Sequence, residues 1–176
     1  MFNLKLAFRR RLLAAVGAFA ALLMANVVPA AVENIVAEAE FVAPVTIVEN
    51  NALQFGLLDV NMANLETIVI GTDDAVTDAG SNVLGGSQAA ADLTVTATTG
   101  HTITILVDTV VSGSGYALAT FLCSYDGGAD TACDGGGYTV TSVASAIIEV
   151  GATMTGDGTS TVGAANGSFN LTINYQ

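Results

Sequence analysis

The groups in this chain that could move protons, attack substrates or hold metals are few: one histidine, His101, two cysteines, Cys123 and Cys133, and sixteen acids. A lone histidine cannot build a three-histidine zinc site. A Ser-His-Asp triad also needs an organised nucleophile turn, and the nearest approach, Gly85-Gly86-Ser87-Gln88-Ala89, lacks the closing glycine. His101 therefore reads as a turn-side residue opening a strand. Carboxylate pairs can hydrolyse glycosides, but acids spread along the chain single out no pair, so no enzyme is expected. Asp126, Asp130 and Asp134 lie in a glycine-rich loop, where three carboxylates and free carbonyls offer a weak calcium site. Their four-residue spacing departs from the alternating ligands of an EF-hand loop, and no other cofactor is expected.

Charge narrows the field further. All the basic side chains, Lys5, Arg9, Arg10 and Arg11, precede Leu12, and every acid lies at or after Glu33. Met1 to Arg11 is a basic n-region, Leu12 to Val28 an apolar run, and Val28-Pro29-Ala30 a small-residue cleavage site, which together predict a cleavable helical signal peptide over 1–30. Cleavage moves the formal charge from −12 to −16, because 4 basic residues are lost and 16 acids remain. A mature chain without lysine or arginine cannot neutralise nucleic-acid phosphates or clamp an anionic substrate, so no nucleic-acid partner and no anchoring in the membrane after cleavage are expected. The predicted location is periplasm to extracellular space or cell surface. In such a compartment Cys123 and Cys133, nine residues apart in between, read as a disulfide that contributes roughly 2–3 kcal/mol on a chain-entropy model.

The elements that position these groups are strands. Period-two alternation dominates after residue 32. Ile35, Ala37, Ala39, Phe41, Ala43, Val45 and Ile47 form a long extended run, readable as two strands bent at Pro44. Leu53 to Phe55, Ile68 to Ile70, Tyr116 to Cys123, Tyr138 to Val143 and Ile147 to Met154 are further strands, the last with Ile148, Val150, Ala152 and Met154 on one face. Leu93, Val95 and Ala97, then Thr99-Gly100, then Ile103, Ile105 and Val107 read as a hairpin. Phe169, Leu171, Ile173 and Tyr175 alternate at the end of the chain. Residues 72–91 read as a longer loop. About eight strands without intervening helices predict an all-β, immunoglobulin-like antiparallel β-sandwich. The organisation is a leader over 1–30, an extended N-terminal segment over 31–43 and a sandwich domain over 44–176.

Two resemblances follow from these residues. Leu53-Gln54-Phe55-Gly56, Val150-Gly151-Ala152 and Gly167-Ser168-Phe169 to Tyr175 resemble the bacterial secreted family called domain of unknown function 4402, over roughly 45–176. Gly163, with Phe169, Leu171, Ile173 and the penultimate Tyr175, resembles the closing strand of chaperone–usher pilins. That second resemblance implies a sandwich missing one strand, a groove along the C-terminal strand and a surface appendage, or fimbria, built as a homo-polymer with the help of a periplasmic chaperone and usher. Ile35, Ala37, Ala39 and Phe41 are then the strand-donor candidates. Two features differ from the pilin pattern: no glycine interrupts Ala31 to Gln54, and Cys123 and Cys133 close a late, local loop. The alternative function is a stand-alone secreted module with a surface or ligand-binding role.

Overall fold

The computed structural model describes residues 36–176. The leader and Ile35 lie outside the described residues. The chain divides into two units, 1–40 and 41–176. Of the first, residues 36–40 are described; they hold no strand and are exposed.

The second unit is an all-β, antiparallel sandwich. Its strands are β1 (Thr46–Asn51), β2 (Leu57–Leu58), β3 (Thr67–Ile70), β4 (Val76–Asp78), β5 (Val83–Gly85), β6 (Ala91–Thr96), β7 (Thr102–Val111), β8 (Tyr116–Tyr125), β9 (Thr131–Ala132), β10 (Tyr138–Thr141), β11 (Ser145–Gly156) and β12 (Ser168–Tyr175). The larger sheet runs β1-β6-β11-β3-β4, with β8 on the other side of β11 and β9 beyond β8. The second layer is β10-β7-β12, and β2 pairs with β5 in a small ribbon.

β11 organises the larger sheet. Its first half, Ser145 to Val150, pairs with β6, and its second half, Ala152 to Thr155, pairs with β3 along the same side. Gly151 sits at the handover between the two neighbours, where a Cβ would lie 2.4 Å from the Ile70 carbonyl oxygen, so only glycine lets both strands close on β11. Ile148, Val150, Ala152 and Met154 are all buried, as the alternation predicts. Ile148, Val150 and Ala152 share one core with Ile103, Ile105 and Val107 of β7 and Ile173 of β12, while Met154 packs in a second cluster with Met62 and Ile68. Phe121 of β8 and Phe169 of β12 join the layers with ring centroids 4.9 Å apart.

The reading of 93–107 as a hairpin is corrected by the topology. β6 belongs to the larger sheet and β7 to the second layer, so residues 97–101 arch between layers. The buried Ser142, in the return crossing from β10 to β11, ties the two arches together. Its Oγ lies 2.6 Å from the Thr98 carbonyl and 2.9 Å from the His101 carbonyl, and accepts the His101 N–H at 3.2 Å. Its backbone N–H donates to the His101 carbonyl, and its own carbonyl accepts the Gly100 N–H. Ser142→Ala removes the buried hydroxyl that bridges the two crossings and is expected to cost about 1–3 kcal/mol, read as a lower urea midpoint at unchanged slope.

Two other expectations change. The extended run before Pro44 forms no strand among the described residues; pairing begins at Thr46, where β1 meets β6. Proline has no N–H for a ladder and restricts the residue before it, which separates β1 from the segment ahead. Residues 72–91 are not a plain loop, because they hold β4 and β5. The turn between those strands closes on Asp78, whose carboxylate accepts the Val83 N–H at 2.7 Å, the Gly80 N–H at 3.1 Å and the Asn82 Nδ2 at 3.4 Å.

Burial works against the charged form of Asp78, yet the hydrogen bonds from Val83, Gly80 and Asn82 outweigh it and hold the carboxyl below its ordinary 3.8. A depressed folded pKa contributes stability above the unfolded value and loses it as pH falls through the folded value. Asp78→Asn is therefore expected to flatten the acid limb of stability below about pH 4, measured by denaturation at pH 2 to 7.

Candidate functional site

The most distinctive surface of the domain is the free side of β12. β7 pairs with one side of this strand, at Ile173↔Ile105 and Leu171↔Val107. Among the described residues no strand pairs with the other. An edge of this kind presents unpaired backbone donors and acceptors. Phe169, Leu171, Ile173 and Tyr175 point into the core as the sequence predicts; Ile173 is buried, while the other three are half-buried. Val45, Leu53 and Phe55 also pack against this core while staying half-buried. β1, which edges the larger sheet, is exposed along its length, with Ile47 and Val48 both open to solvent. Gly163 lies ahead of β12, in the exposed 157–167 loop, and takes a φ of +141° that favours glycine.

The donor candidates that can be placed stay outside every strand. Ala37 and Ala39 are exposed, and Phe41 is 97% exposed. The chain is pinned just beyond them. The Tyr175 phenol donates to the Ala43 carbonyl at 2.9 Å and accepts the Thr98 N–H at 2.7 Å. The Ala43 N–H in turn donates to the Thr98 Oγ at 2.9 Å. The His101 ring meets the Tyr175 ring edge-on at 5.7 Å, so the single histidine packs at the end of β12. Sequence reasoning picked out Tyr175 for its apolar alternation and missed its hydroxyl as a tether; no sequence signal pairs residue 175 with residue 43.

The disulfide joins Cys123 to Cys133, and both cysteines are fully buried. The three aspartates around it serve separate partners. Asp130 accepts the Thr72 hydroxyl, and Asp134 accepts the Phe121 N–H at 3.2 Å. Asp126 takes a left-handed φ of +54° in the turn after β8, where its N–H donates to the Ile147 carbonyl. Among the described residues no three His, Cys, Asp or Glu side chains gather into a group able to hold a metal ion. The carboxylates of Asp130 and Asp134 are taken by different partners, Thr72 and Phe121.

A second surface feature went unseen in the sequence. An open groove of about 570 Å³ runs along β10, lined by Tyr125, Tyr138, Val140 and the glycine-rich turns beside them. The Tyr138 hydroxyl is buried and lacks a hydrogen-bond partner. Burial first, then the nearby Tyr125 phenol, push it up to about 12, so it stays protonated throughout the physiological range. Tyr125 is fixed by the Val143 N–H at 3.1 Å.

An antiparallel sandwich stapled by a local disulfide, with the C-terminal strand at the edge of its layer among the described residues, is the class this architecture defines. The family model described as Domain of unknown function (DUF4402) matches residues 45–175, and the chain belongs to that family. The matched span opens just before β1 and closes with β12, leaving the extended segment outside it. Comparison with curated proteins and with solved structures returned no match.

Proposed function

We propose that this protein is an exported, non-enzymatic structural subunit of a surface appendage, in which residues 31–43 of one copy add as a strand to the free side of β12 in the next. One observation carries the reading: among the described residues β12 is an edge strand with half-buried Phe169 and Leu171, while residues 36–45 ahead of β1 form no strand. Strand addition satisfies the unpaired backbone groups of β12 and removes the apolar face of the donor from water at the same time. A periplasmic chaperone and an usher are the partners such assembly requires. The mature protein is expected to form multimers that resist detergent and heating, and deletion of residues 31–43 to leave monomers. Monomers from both chains would sink the reading.

The groove along β10 favours a second reading, a stand-alone secreted module with a ligand-binding role. Its lining carries no charged side chain, so it suits an uncharged ligand better than an ionic one.

A further inference from the structure

We infer that Tyr175 is the latch that fixes where the donor segment leaves the domain, and that assembly depends on this latch as well as on the segment and the edge. The inference rests on the strand-addition reading. Its geometry lies wholly within the sandwich domain.

Two hydrogen bonds hold one residue of the chain before β1, and a third secures the group that holds it. Ala43 is held at its carbonyl by the Tyr175 hydroxyl, and at its N–H by the Thr98 side chain. The Tyr175 oxygen is itself held by the Thr98 N–H, so donor and acceptor capacity of the phenol are both used. The ring is braced edge-on by His101. Pro44 follows at once, and its ring fixes its own φ and keeps Ala43 out of the helical region. The chain is thus held at Ala43 by side chains and kept extended there by proline, while Phe41, two residues earlier, is 97% exposed.

The consequence concerns entropy. A strand donor that starts from a fixed exit loses less conformational freedom on entering a neighbour than one frayed back to β1. The latch also ends the C-terminal strand whose free side is the acceptor, so Tyr175 belongs to both halves of the contact: its backbone closes β12 and its hydroxyl holds the donor's root.

Tyr175→Phe keeps the ring and its packing and removes both hydroxyl bonds; Thr98→Val removes the bond to the Ala43 N–H. Two readouts are taken on the mature protein: the multimer fraction at fixed concentration by light scattering after gel filtration, and amide exchange at Ala43 and Val45 by mass spectrometry or NMR. Ile68→Val, in the separate cluster with Met62 and Met154, serves as a destabilised control. Tyr175→Phe is expected to speed exchange at Ala43 about tenfold or more and to weaken association by a similar factor, whereas Ile68→Val lowers the melting temperature with assembly unchanged. Unchanged exchange at Ala43 in Tyr175→Phe overturns the latch. So does faster exchange with assembly equal to wild type, or a loss of assembly that Ile68→Val reproduces. A wild-type protein that stays monomeric overturns the strand-addition reading and the assembly role with it; the exchange measurement then still decides whether Tyr175 pins Ala43.

Discussion

Phe121→Ala is expected to destabilise the domain by about 3–5 kcal/mol, the range for truncating a buried aromatic ring. Phe121 is 1% exposed, sits on β8 of the larger sheet and packs against Phe169 of β12 at 4.9 Å. The ring therefore belongs to the interface between the layers, and its loss removes apolar burial and leaves a void that neither sheet fills without shifting. A domain of ordinary stability has only about 5–15 kcal/mol in total, so this one change takes a large share of it. At this chain length the melting temperature should fall by about 10 °C or more. Calorimetry checks the temperature, and urea titration checks that midpoint and not slope moves. A fall of 2 °C or less would mean that the layers are held together elsewhere.

The disulfide is the second large contribution. Cys123→Ala with Cys133→Ala is expected to cost about 2–5 kcal/mol, through greater freedom of the unfolded chain and through lost packing. Cys133 has a role beyond its sulfur: its N–H donates to the Phe121 carbonyl and its carbonyl accepts the Val107 N–H, which links the edge of the larger sheet to β7 in the other layer. Freeing the loop should therefore loosen both sheets along that edge. Both cysteines are fully buried, so a thiol reductant should cleave the bond only as fast as the domain opens. Reduction rates that rise with urea in step with unfolding would support this. Rapid reduction under native conditions would show that the loop opens on its own.

The two changes test different parts of one construction. Phe121 and Cys123 lie on the same strand two residues apart, so their side chains share the core face. Coupling between them is expected, and the triple variant should lose less than the sum of the separate losses.

The sequence determined the elements that a local pattern can encode. Ile148, Val150, Ala152 and Met154 alternate because β11 has one face against the core, and burial follows that alternation residue by residue. Phe169 to Tyr175 alternate for the same reason, and two cysteines in a short glycine-rich loop leave one pairing to make. Tertiary structure alone decided which strands lie side by side. Thr99-Gly100 carries the same turn chemistry whether the chain folds back within a sheet or arches to the next layer, and the choice was made by β11 taking the place beside β6 and by Ser142 binding both crossings. Asp126, Asp130 and Asp134 look like a ligand set in one dimension, yet the carboxylates of Asp130 and Asp134 turn to different neighbours. The tether from Tyr175 to Ala43 spans the length of the domain in sequence and 2.9 Å in space. Periodicity reports which face of a strand is buried; partners brought together by burying that face leave no trace in local spacing.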